Sequence, residues 1–144
     1  MSAINPQLRR RARERAVQFL FGLDFTQYGW ESTIETFWVG NPVKPGAKAY
    51  AERLIRGVME HRIALDEAID AALNRWTPDR VGRVERNVLR VALYEMWHEP
   101  DVPTNVAINE AIEVTKVYGE EETARFINGV LDRLREIEPR ASAT

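Results

Sequence analysis

Residues 83–99, RVERNVLRVALYEMWHE, place apolar side chains around nearly the whole of a helical wheel: Val84, Val88, Leu89, Val91, Ala92, Leu93, Tyr94, Met96 and Trp97. A helix with one apolar stripe can lie on a surface, but one that is apolar all round must be enclosed on several sides. The rest of the chain has to supply those neighbours. Its periodicity says that they are helices, because no segment shows the alternation of a half-buried strand.

Leu8, Ala12, Ala16, Phe19, Leu20 and Leu23 recur at the three-and-four spacing of one helix face and predict a first helix over residues 6–25. A turn-rich stretch follows. Within ESTIETFWV, residues 31–39, Ser32 or Thr33 is placed to cap a short helix before NPVKPG breaks the chain. Apolar positions from Ala51 to Trp76 predict one long helix over residues 47–76, or two joined near His61. Thr77-Pro78 ends it, since the proline ring disfavours helical geometry in the residue before it. Pro103 suits the first turn of a further helix that stops at Gly119. The last helix runs over residues 120–137, with Glu120, Glu121 and Glu122 at the positive end of its dipole, and RASAT at 140–144 reads as a frayed tail. The fold class is all-α, a helical bundle.

At 144 residues the chain suits one domain, residues 1–144, large enough to bury a core without metal or disulfide support. It has no cysteine, which excludes a disulfide framework, a thiol nucleophile and thiolate metal ligands. No segment approaches the roughly 18 unbroken apolar residues of a membrane span, and no apolar stretch of a secretion signal opens the chain. A cytoplasmic protein is expected. Catalytic patterns are missing as well: His61 and His98 fall on different helices without metal-ligand spacing, and read as surface or packing residues. Neither a G-x-G-x-x-G nor a P-loop occurs; Gly40 and Gly46 flank prolines and read as turns. The glutamates at 120–122 point about 100° apart on a helix, so they do not converge on a cation. The expectation is a binding protein rather than an enzyme, without cofactor or metal.

The net charge of −2 makes RRRARER, residues 9–15, conspicuous, with five arginines in seven positions. A solvated helix face is the plain reading, and an anionic partner the sharper one. Arg10, Arg13, Val17 and Phe21 fall within a sector of roughly 80°, away from the core stripe, and form a second face of the first helix. Guanidinium groups beside an exposed ring suit a nucleic acid strand, taking phosphates and stacking on bases. On the last helix the core stripe is Ala124, Ile127, Val130, Leu131 and Leu134, while Glu122, Phe126, Gly129 and Arg133 line a neighbouring strip. Gly129 admits either another chain or a closely packed helix. A carboxylate such as Glu122 repels phosphate yet accepts hydrogen bonds from base amino groups and sugar hydroxyls.

Residues 85–134, ERNVLRVALYEMWHEPDVPTNVAINEAIEVTKVYGEEETARFINGVLDRL, resemble the conserved half of the NusB family of bacterial transcription antitermination factors. RRRARERAVQFLF at 9–21 resembles that family's opening helix, and the DVP-x-x-VAINEAIE and FINGVLD stretches stand in the right order and at the right distance. Residues 26–80 contribute only a compatible helical pattern. The resemblance implies two small three-helix subdomains that bind boxA RNA, a single strand, together with NusE, a ribosomal small-subunit protein, and join the RNA polymerase antitermination complex on ribosomal RNA operons. By position, it implies RNA contacts from Arg10 and Arg13, with Arg9 a weaker inclusion, and from Tyr118, Glu122 and Phe126. NusE would meet Phe21 and Glu85. Phe21 stands where the family has tyrosine, which keeps a ring contact and removes a hydroxyl hydrogen bond. A homodimer covering the arginine face would block RNA until it dissociated.

Two other readings are compatible with the residues. One is a NusB-like domain of a ribosomal RNA cytosine methyltransferase, although the 144 residues leave no room for a nucleotide-binding catalytic domain. The other is a protein-binding adaptor whose arginines meet an acidic surface. For the RNA reading, three or four phosphate contacts predict a log-log salt slope of about −2 to −3.

Overall fold

The computed structural model describes residues 5–73 and 81–137. The helices are α1 (Pro6–Leu23), α2 (Trp30–Gly40), α3 (Pro45–Glu60), α4 (Arg62–Ala72), α5 (Arg83–His98), α6 (Thr104–Tyr118) and α7 (Glu121–Leu134), and no strand occurs among the described residues. The stop expected at Thr77-Pro78 and the tail expected at 140–144 lie outside them.

The helix ends follow local chemistry. Asn5 caps α1 by accepting a hydrogen bond from the Gln7 amide at 2.7 Å, and Pro6 occupies the first turn, where no amide hydrogen is needed. The cap of α2 is Gly29; Ser32 and Thr33, the expected caps, instead lie inside the first turn and donate their hydroxyls back to the Gly29 carbonyl. The long helix expected over residues 47–76 breaks at His61, which ends α3 and opens α4 with φ −110° and ψ 16°.

The break redirects the chain. α4 leaves α3 and packs against α5 and α7, so α1–α3 form one group and α4–α7 a second group of four helices rather than three. Helix α5 is the shared element, packed against α1, α3, α4, α6 and α7, and every residue from Asn87 to Glu95 is buried. Its enclosure was the first expectation from sequence. Leu54, Ile55, Leu65, Ile69, Leu89, Leu93, Ile127, Leu131 and Leu134 are fully buried in one continuous cluster that draws on all seven helices. Each such side chain contributes about 1.5–3 kcal/mol through burial. α3 approaches α5 at Gly57, where a Cβ would stand 2.1 Å from the Tyr94 ring.

Polar side chains inside this core are paired. Arg90 donates through Nε and Nη2 to the two carboxylate oxygens of Asp66 at 2.7 and 2.9 Å, and Asn87 Nδ2 donates to Asp24 at 3.0 Å. These bonds tie the C-terminal end of α1 and the middle of α4 to the central helix.

Candidate nucleic-acid interface

All five arginines of RRRARER find partners within the chain. Arg9 donates to Asp101 at 2.8 Å and lies over the Tyr50 ring, 4.8 Å from its centroid. Arg10 Nε and Nη2 grip Glu110 at 2.9 and 2.8 Å; Arg11 reaches Glu14 at 3.7 Å; Arg15 donates to Gln18 at 3.1 Å. Arg13 is buried between Glu95, at 2.8 Å, and Glu110, at 3.5 Å. Arg9, Arg10 and Arg13 are thus matched by carboxylates brought from α5, α6 and the loop between them, Arg11 by Glu14 of α1 itself, and Arg15 by a neutral amide.

The second face expected on α1 fails at two of its four positions. Arg13 is 4% exposed and Val17 1%, because α5 and α6 cover that side of the helix with Val88, Val91, Ala92, Ala107, Ala111 and Val114. A wheel of α1 alone cannot show a second covering surface. In this position Arg13 presents no guanidinium to a strand; it neutralises Glu95, whose other oxygen accepts the Tyr50 hydroxyl. Burial and the Glu95 carboxylate push the Tyr50 phenol well above its ordinary range.

Arg10 stays accessible, with 48% of its side chain exposed. It lines a groove of about 380 Å³ with Pro6, Gln7, Arg11, Glu14 and Glu110. Glu14 continues this surface toward α6: the exposed Tyr118 donates its hydroxyl to the Glu14 carbonyl at 3.4 Å. Burial, then the nearby Glu14 charge, raises the Tyr118 pKa. Two residues beyond Tyr118 a second cavity opens, about 550 Å³, lined by Val81, Glu85, Glu120, Glu122, Thr123, Arg125 and Phe126. Arg10 and Tyr118 are each linked to Glu14, and Glu122 and Phe126 line the cavity that begins two residues past Tyr118.

Glu85, expected at the partner protein, shares the cavity of Glu122 and Phe126, expected at RNA. The other partner residue, Phe21, is 37% exposed and meets Phe25 edge-on at 5.2 Å, while Arg83 lies 5.0 Å over the Phe25 ring. Phe25 and Arg83 thereby connect Phe21 to the first turn of α5, which carries Glu85. Among the described residues a Cβ at Gly129 would meet nothing within 4 Å, so no described helix packs closely there.

Sequence reasoning missed Glu110, Glu14 and Arg125. Glu110 was legible only as an acidic residue on α6; its pairing spans 100 positions of chain. It also kept His61 and His98 apart, whereas their rings stack with centroids at 4.0 Å. The two imidazoles carry no metal arrangement, and no group of three or more metal-ligating side chains occurs among the described residues. No described helix is long and apolar enough to cross a membrane.

The described fold defines an all-helical protein of two helix groups that share a buried central helix, with charged and aromatic side chains lining its surface cavities. The chain belongs to the NusB family, whose model matches residues 10–136. The transcription antitermination protein NusB of Anaeromyxobacter dehalogenans, strain 2CP-1, is 47% identical to it over 88% of this chain and 89% of its own length. The solved NusB of T. maritima is 35% identical, with a TM-score of 0.81 over 99% of this chain and 98% of that one. A structure of the antitermination factors NusB and NusE in complex with dsRNA matches at 25% identity and a TM-score of 0.81, over 92% of this chain and 98% of that chain.

Proposed function

We propose that this protein is an RNA-binding transcription antitermination factor that holds boxA RNA as a single strand, together with NusE, and joins the RNA polymerase antitermination complex on ribosomal RNA operons in the cytoplasm. The observation that carries the reading is the likeness, over 92% of this chain, to a NusB held with NusE and RNA. The role is assembly without catalysis. RNA lies along Arg10, Tyr118, Glu122 and Phe126, with Arg10 meeting phosphate and the Phe126 ring offering a base a stacking face. NusE meets Phe21 and Glu85, and the cavity shared by Glu85, Glu122 and Phe126 makes the two surfaces adjoin. Arg9 and Arg13 act behind this surface, holding Asp101 and Glu95.

The test is a titration of the purified protein with boxA, scrambled and double-stranded RNA, each with and without NusE. The reading predicts preference for the boxA strand, strengthened by NusE. A preference for duplex overturns the single-strand assignment. The rival reading, a protein-binding adaptor, predicts no RNA preference in either arm.

A further inference from the structure

Arg10 and Arg11 both line an open groove with about half of each side chain exposed, and Arg10 is held in a two-bond fork by Glu110. The groove contains two guanidiniums, Arg10 and Arg11, and two carboxylates, Glu14 and Glu110, so their formal charges cancel. A phosphate entering it either displaces Glu110 from the Arg10 fork or binds a pair with no net charge beside a carboxylate that repels it. Both routes cost affinity. Guanidinium forks match carboxylate and phosphate alike, and Glu110 occupies the same donors that a phosphate oxygen needs.

We propose that Glu110 is an affinity- and specificity-determining residue of the RNA surface, an internal competitor that keeps Arg10 from binding polyanions indiscriminately until other contacts hold a strand in place. The proposal rests on the reading that Arg10 faces RNA. Glu110 is suited to this task because Arg13, its other partner, has a nearer carboxylate in Glu95, at 2.8 Å against 3.5 Å. Glu110→Gln therefore leaves the buried guanidinium compensated while weakening the grip on Arg10.

The experiment measures binding of boxA RNA and of an unrelated single-stranded RNA to the full chain by fluorescence anisotropy at low and high salt. The variants are Glu110→Gln, Arg10→Ala and the double variant, with circular dichroism as the check on folding. Removing one charge beside a phosphate at an exposed site raises affinity about three- to tenfold at low ionic strength. The gain is expected for both RNAs, larger for the unrelated one, smaller at high salt, and smaller when residue 10 is alanine, because only the repulsion of phosphate by the carboxylate is then relieved. Unchanged or weaker binding by Glu110→Gln overturns the proposal, since the carboxylate then orients Arg10 or does nothing. An equal gain in the Arg10→Ala background also overturns it. Failure of the underlying RNA reading has a different signature: Arg10→Ala alone binds boxA RNA as tightly as the parent protein.

Discussion

Arg13 Nε donates to Glu95 Oε1 at 2.8 Å, with 5% and 1% of the two side chains exposed, so a positive charge from the arginine-rich start of α1 lies against the central helix. Breaking such a pair strands a buried charge, at a cost of about 3–5 kcal/mol for Arg13→Met or Glu95→Met. Removing both charges together relieves that penalty, and the double variant is expected to lose less than the sum of the two. Urea unfolding of the three variants measures this, and additivity would show that the two residues are not coupled.

Two glycines give opposite expectations. Gly57→Ala drives a methyl into the Tyr94 ring and is expected to destabilise by about 1–3 kcal/mol, the usual range for an overpacked core. Gly129→Ala meets open space inside α7 and is expected to stabilise by up to about 1 kcal/mol, because alanine favours the helix. Thermal melts of the two variants decide both.

His98 provides a pH dependence. Its burial, and next the His61 ring stacked on it, lower its pKa, while Glu99 acts in the opposite sense. The folded protein therefore holds fewer protons at His98 than the unfolded chain does. Stability is fully present above the ordinary histidine pKa, about 6.5, and falls as the pH drops through that value toward the lowered one. Nε2 of His98 is buried without a hydrogen-bond partner, so His98→Phe keeps the stack and removes the titration. The variant is expected to lose less stability than the parent between about pH 7 and pH 5 in urea melts; equal losses would remove His98 from the account.

The salt dependence of RNA binding is expected to be weaker than the arginine count implies. With Arg9 and Arg13 engaged inside the protein, Arg10 and Arg11 are the guanidiniums that line the groove, and two phosphate contacts on a single strand give a log-log slope of about −1.4. Filter binding of boxA RNA across a salt series without NusE measures it. A slope of about −3 would require four phosphate contacts and would place more of the run on the strand.

The helices were legible because apolar spacing is a local signal: Leu8 to Leu23 marked α1, and residues 83–99 announced a helix enclosed by the rest. The Ser32 and Thr33 caps failed because hydroxyls inside a first turn can donate backward to a carbonyl as readily as a cap accepts forward. Arg13 was misread for a different reason. A helical wheel gives the angle of a side chain but not the number of neighbours around the helix, and α1 is covered by α3 on one side and by α5 and α6 on another. Arg10 and Phe126 were legible as a cation and a ring on secondary helix faces, whereas Tyr118 entered only through the family resemblance. Glu110 and the stacking of His61 on His98 depend on contacts far apart in sequence, which no periodicity records.

The central claim is that one strand of RNA crosses the edge formed by Arg10, Tyr118, Glu122 and Phe126. Titrating isotopically labelled protein with boxA RNA, and following the Arg10 side-chain signal with the backbone amides, tests it most directly. Perturbations confined to the first turns of α1, the α6–α7 turn and α7 are the predicted result. Shifts centred on α2 and α4, with Arg10 and Phe126 unmoved, would contradict it.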